Sequence, residues 1–251
     1  MEPSSTLPAI EGWLTFGEGR VLEEAARACP ADVAIVEIGS FKGRSTQRLG
    51  TGAREGHGAP VFAIDPHEEG TYPEFLENLR ASGLDGIVEP VCQRSEDAAR
   101  EWDRPIGLLF IDGDHSRESV ERDWRLFSPH LVDGAVVAFH DSTAAPTRKL
   151  MGYPGPRAVA GREFFGSPGW RDVGVVDTLT YATRGDASRR DRAWRHLVHL
   201  RKLGTDALLL LNAHVVRRLP LFPVLKRLVF GKAGPTAPEA ERAARPTRTP
   251  S

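Results

Sequence analysis

Five acids and two histidines in this chain recur at one kind of position, immediately after an apolar run. Glu37 closes Val33–Val36. Asp65 follows Val61–Ile64. Asp112, Asp114 and His115 follow Ile106–Ile111, and His140 and Asp141 follow Ala135–Phe139. Carboxylates of this kind bind ammonium groups, accept hydrogen bonds from a diol or ligate a hard cation. Imidazoles beside them take up a proton near neutral pH or ligate a softer ion. A glycine turn accompanies the first acid, in the order Glu37-Ile38-Gly39-Ser40-Phe41-Lys42-Gly43. A dinucleotide fingerprint requires a middle glycine where Phe41 stands, so a nicotinamide cofactor is a poor fit.

These groups are far apart in sequence, so the fold must bring them together. The apolar runs before Glu37, Asp65, Asp112 and His140 read as buried strands, and Gly86–Val91 as a short one. Helices are predicted after the glycine turn, over 73–83, from Ser95, and over about 117–130. Strands alternating with helices predict a doubly wound, mostly parallel sheet, whose ligands bind at the carboxyl ends of the strands. Residues 144–169 read as a loop or partial helix over those ends. Residues 173–182 read as the last one or two strands.

Composition sets the outer bounds. A chain of 251 residues accommodates one α/β domain with additions. Its net charge of −1 conceals an asymmetry, because residues 189–232 carry a net +9 and residues 1–188 a net −11. That divides the chain into a catalytic domain over 1–188, a basic amphipathic helical appendage over 189–232, with Gly204 as a breaking point, and a disordered tail over 233–251. Cys29 and Cys92 read as reduced, partly buried thiols of a cytoplasmic protein. No export leader and no membrane span are expected. An acidic body without an aromatic-basic groove argues against nucleic acid.

The combination of Glu-Ile-Gly-Ser at 37–40, Ile-Asp-Gly-Asp-His at 111–115 and His140-Asp141, in that order, resembles the methyltransferase-24 family. These are class I S-adenosylmethionine-dependent methyltransferases, with a Rossmann-like fold, related to macrocin- and novobiocin-type sugar O-methyltransferases. The resemblance covers about residues 33–142. It implies that Glu37, Gly39, Ser40, Gly43, Ser45 and Thr46 surround the methionine part of S-adenosylmethionine. Asp65 would accept from the ribose hydroxyls, Ser95 would lie near adenine unless it is merely a helix cap, and Asp112 would border the cofactor. Asp112, His140 and Asp141 would ligate a divalent cation, magnesium or else manganese. The sugar-modifying relatives carry two adjacent acids where this chain has His140-Asp141, which leaves His140 open between ligand and supporting residue. The base that deprotonates the acceptor would be Asp114, then His115, then His140.

The implied activity is a metal-assisted O-methyl transfer to a hydroxyl of a sugar or small polar metabolite. Two alternatives stay open, a metal-independent methyltransferase acting on another nucleophile and a noncatalytic cofactor-binding scaffold. Two readings of the basic segment also stay open. It packs on the domain or a second copy, or it docks on an anionic membrane surface or partner.

Overall fold

The computed structural model describes residues 8–144 and 152–212, and of 206–212 only the backbone. Seven strands, β1 (Ala34–Ile38), β2 (Val61–Ile64), β3 (Val88–Val91), β4 (Ile106–Ile111), β5 (Leu131–Phe139), β6 (Trp170–Val176) and β7 (Leu179–Arg184), form one sheet in the order β3-β2-β1-β4-β5-β7-β6. The first five run parallel, while β7 lies antiparallel to both β5 and β6. The helices are α1 (Phe16–Ala28), α2 (Arg44–Glu55), α3 (Tyr72–Ala81), α4 (Ser95–Ala98), α5 (Arg117–Phe127), α6 (Pro154–Ala160) and α7 (Arg189–Asn212).

The central strands are covered on both faces, which explains their continuous apolar runs. Alternate residues join two separate cores. Val36, Ile38, Leu109 and Phe139 pack on one face, and Ile35, Leu108, Phe110 and Ala138 on the other. Strand order reverses between β1 and β4, so the loops leaving these neighbours diverge and open a crevice at their carboxyl ends. Every acid and histidine of the opening pattern lies at that edge except Glu37, which lies within β1.

The start of α5 was legible and that of α1 was not. Ser116 caps α5, its hydroxyl accepting from the Ser119 amide. Thr15 and Glu18 form a reciprocal capping box on α1, a helix in a segment the sequence reading left without structure. Predicted boundaries move by a few residues. The third strand begins at Val88 rather than Gly86, and the fifth at Leu131. The region 144–169 holds α6 and a following π-helical turn, Gly161–Phe165. Residues 145–151 lie outside the described residues.

Gly204 does not break α7, which continues to Asn212. The helix packs on the edge strand β6, with Val198 buried, the Trp194 indole donating to the Val173 carbonyl at 3.0 Å and Arg195 donating to the Ser167 carbonyl. The remainder of the expected appendage, 213–232, and the tail 233–251 lie outside the described residues. Of the two cysteines, both free, Cys29 is buried and Cys92 is exposed, which corrects the expectation for Cys92. Among the described residues no helix is long and apolar enough to cross a membrane.

The crevice depends on Gly39. Its φ is +88°, and a Cβ there would stand 2.3 Å from the Asp112 carbonyl oxygen. A left-handed backbone costs a residue with a side chain about 1–2 kcal/mol, and overpacking adds about 1–3 kcal/mol. Gly39→Ala should therefore lower the unfolding free energy by about 2–5 kcal/mol in chemical denaturation.

Candidate active site

The strand ends enclose a cavity of about 810 Å³. Of the residues named from sequence, Gly39, Ser40, Ser45, Asp65, Ser95, Asp112, Asp114, His115, His140 and Asp141 line it, whereas Glu37, Gly43 and Thr46 stand behind its wall.

At one end the turn after β1 is pinned by Asp65. Its Oδ2 accepts the backbone amides of Ser40 at 2.9 Å and Phe41 at 2.8 Å, and its Oδ1 accepts that of His67 at 2.7 Å. Phe41 is held at φ +47°, an unusual conformation for a side chain of its size. Glu37 is fully buried. Its Oε2 accepts from the Thr46 hydroxyl at 2.5 Å, and its Oε1 has no partner. Burial pushes its carboxyl up to about 8, against the pull of the Ser45 and Thr46 hydroxyls. Ser95 opens α4 but does not cap it. Its hydroxyl instead donates to Asp123 Oδ1 at 2.5 Å, a buried acid whose carboxyl burial pushes upward.

At the other end Asp112, His115, His140 and Asp141 converge. His140 is buried and faces carboxylates on both sides, with Nδ1 3.0 Å from Asp112 Oδ1 and Nε2 3.3 Å from Glu18 Oε2. Burial alone would depress its imidazole, but the charges and hydrogen bonds of Asp112 and Glu18 raise it well above the ordinary histidine range. Burial likewise opposes ionisation of Asp112, yet His140 and His115 hold its carboxyl below the ordinary range. Glu18 is held low in the same way by His140, the Thr15 amide and Thr178. Its Oε1 also accepts from Thr178, from the amide at 2.8 Å and the hydroxyl at 2.7 Å.

His115 Nε2 points at Asp112 Oδ1 (3.5 Å) and Asp141 Oδ2 (3.7 Å), and its ring stacks on Tyr153 at 4.3 Å. Tyr153 donates its amide to the Asp141 carbonyl at 2.8 Å, which fixes it beside the cluster. Asp141 sits at φ +49°, and burial raises its carboxyl despite His140.

Asp114 does not suit the role of base. Its carboxylate accepts from the Ser116 amide (3.0 Å), the Ser116 hydroxyl (2.9 Å) and the Ser119 hydroxyl (2.7 Å), and these donors hold it below the ordinary range. It organises the start of α5. His140 does not suit that role either, since both its nitrogens face carboxylates.

The expected metal set of Asp112, His140 and Asp141 also fails on donor chemistry. Each His140 nitrogen faces a carboxylate oxygen, and a ring protonated at both has no lone pair for an ion. Among the described residues no group of three or more His, Cys, Asp and Glu side chains is placed to hold a metal.

The sequence reading missed Glu18, His67, Asp123, Tyr153 and Thr178. Only Glu18 left a signal, as the acid of the Thr15-Phe16-Gly17-Glu18 capping pattern, and that pattern announces a helix start rather than a site.

Residues 36–142 match the family described as a methyltransferase domain, methyltransferase-24. Solved structures share the fold. A cofactor-bound protein from MTB is 24% identical with a TM-score of 0.55, over 72% of this chain and 85% of that one. An O-methyltransferase from Bacillus cereus, in complex with SAH, is 17% identical with a TM-score of 0.54, over 71% and 84%. The O-methyltransferase TomG from Streptomyces achromogenes, involved in tomaymycin synthesis and in complex with SAM, is 20% identical with a TM-score of 0.53, over 69% and 82%. Identities this low establish the fold and nothing finer.

Glu37 gives a pH signature. Its folded carboxyl lies near 8, above the ordinary 4.5, so its contribution to stability is full below 4.5 and is lost as pH rises toward 8. Denaturation of wild type and Glu37→Gln should show wild type losing stability relative to the variant between about pH 5 and about pH 8.5, by a few kcal/mol.

Proposed function

We propose that this chain, whose residues 36–142 match a methyltransferase-24 domain and whose sheet has the class I order, is an S-adenosylmethionine-dependent methyltransferase that methylates a hydroxyl of a sugar or similar small polar metabolite. One observation carries this reading, the presence of a cofactor-type end and a proton-accepting end in one cavity.

The cofactor end has the features S-adenosylmethionine needs. Gly39 leaves space that any Cβ would fill, Ser40 Oγ and Glu37 Oε1 are buried without partners, and Asp65 keeps free lone pairs toward the cavity. Ser40, Ser45 and the start of α2 would hold the methionine part, Asp65 the ribose, and Ser95 with Asp123 the adenine side. Glu37, Gly43 and Thr46 act from behind by fixing the turn. When bound, the cofactor supplies a methyl on a sulfonium centre, open to in-line displacement.

The protein's task is to orient the acceptor and take its proton. His115 is the base. It lies at the cavity surface, its ring is fixed by Tyr153, and the carboxylates of Asp112 and Asp141 stabilise it once protonated. Trp13 and Tyr153, both exposed on the cavity lining, offer flat apolar surfaces beside these polar groups, which suits a hydroxylated ring. Residues 1–188 form the catalytic unit in this reading, with 189–232 as its appendage. The exposed Trp194, Leu197, Leu200 and Leu203 of α7 are where a second copy or a membrane surface would meet it. Two free thiols fit a cytoplasmic setting.

Calorimetry with S-adenosylmethionine should give one site per chain, and failure to bind sinks the proposal. S-adenosylhomocysteine release across a panel of monosaccharides, glycosides and small polyols then identifies the acceptor. With it, His115→Ala should lower kcat by about 10²–10⁴ while leaving cofactor affinity intact. Asp114→Asn should lower kcat by less than about tenfold, and a larger loss there than at His115 would reverse the assignment.

A further inference from the structure

The buried ring of His140 has an arrangement that neither cofactor binding nor proton removal from the acceptor explains. Three carboxylates from three different elements face it. Glu18 comes from α1, and Asp112 and Asp141 come from the ends of β4 and β5. Thr178, between β6 and β7, lies 3.4 Å from Nε2, and the edge of the ring faces Phe110. The other titratable group in the cluster is His115, against Asp112 and Asp141.

A neutral imidazole has one N–H donor and one acceptor nitrogen. Here each nitrogen faces a carboxylate oxygen at 3.0–3.3 Å, and a carboxylate oxygen only accepts. With Glu18 and Asp112 ionised, both nitrogens carry protons and the ring is a cation. Without a positive charge in that position, Glu18, Asp112 and Asp141 would be three acids crowded into a desolvated pocket, which is a strongly unfavourable arrangement.

We propose that the His140 ring, clasped between Asp112 and Glu18, is a built-in cation that takes the place of a divalent ion, so that this methyltransferase site is assembled and charged without metal. The proposal rests on the reading of this cavity as a methyl-transfer site. His140 is a positioning residue here. It keeps Asp112 and Asp141 ionised toward His115, and α1, which lies outside the matched methyltransferase segment, becomes part of the site through Glu18.

The clasp implies a reciprocal property. Replacing the ring by a third carboxylate leaves an all-oxygen cluster with no internal cation, and hard divalent ions bind such clusters. Manganese, followed by electron paramagnetic resonance, is the probe for the full-length protein. Wild type should take up no submillimolar Mn²⁺ that depends on Asp112, and His140→Asp should gain such a site, at least about tenfold tighter than any in wild type. Nitrogen NMR of wild type should show both His140 ring nitrogens protonated near neutral pH. Glu18→Gln, which leaves the core packing in place, should shift deprotonation of that ring to lower pH.

Tight Mn²⁺ uptake by wild type that is abolished by Asp112→Asn or His140→Gln would overturn the proposal. So would a neutral His140 ring in wild type, whatever the His140→Asp protein does. Calorimetry with S-adenosylmethionine on the same samples separates the two readings. Loss of cofactor binding in wild type discredits the methyltransferase site, whereas Asp112-dependent manganese uptake discredits only the built-in cation.

Discussion

The ion chain Glu18–His140–Asp112 is the constraint around which the acceptor end of the molecule is organised. Its members lie 122 and 28 positions apart in sequence, with Glu18 and His140 buried and Asp112 half-buried at the cavity. Desolvating a single ion costs several kcal/mol, and removing one partner from a buried pair typically costs about 3–5 kcal/mol. The arrangement is therefore stable only as a unit, with α1, β4, β5 and the β6–β7 turn all in place. Glu18 concentrates this dependence in one side chain. The same carboxylate completes the capping box of α1, accepts both hydrogen bonds of Thr178 and faces His140.

The cofactor end is held by a different kind of force. There the determinants are backbone shape and backbone amides donating to a carboxylate. Gly39 lets the β1 turn approach the Asp112 carbonyl, and Asp65 pins the turn through the Ser40 and Phe41 amides. Three lining residues with side chains, Phe41, His67 and Asp141, are kept in the left-handed region. Such conformations persist only where surrounding contacts over-determine them. Asp112 belongs to both ends. Its backbone closes the Gly39 turn and its carboxylate meets His140, so the two ends of the cavity share one loop.

A family match over 36–142 covers the cofactor end and the strand ends. Other parts of the cavity lie elsewhere. Trp13 of its lining and Glu18, the partner of His140, precede the match, and Tyr153 and Thr178 of the lining follow it. The family match therefore leaves out the flat aromatic surfaces of Trp13 and Tyr153 and the Glu18 contact to His140.

The parallel sheet and the edge bearing the polar residues were legible from sequence because both follow from local patterns. Near-continuous apolar strands mark burial on two faces, and polar residues just after them must fall at one edge. Gly39 and Asp65 were legible for the same reason, since a tight turn and a strand-end acid are local features. The roles of the other acids and histidines were not. Asp114 and Asp112 differ by two positions and share a loop, yet one is saturated by the cap of α5 and the other is joined to His140. Ser95 and His140 likewise acquired partners, Asp123 and Glu18, that no spacing announces. Which nitrogen meets which carboxylate depends on ångström-scale distances between elements far apart in the chain. The sequence by itself determined which groups would reach the cavity. Only the tertiary structure decided whether a given group serves as base, cap or fixed charge, because that depends on the partners desolvated beside it.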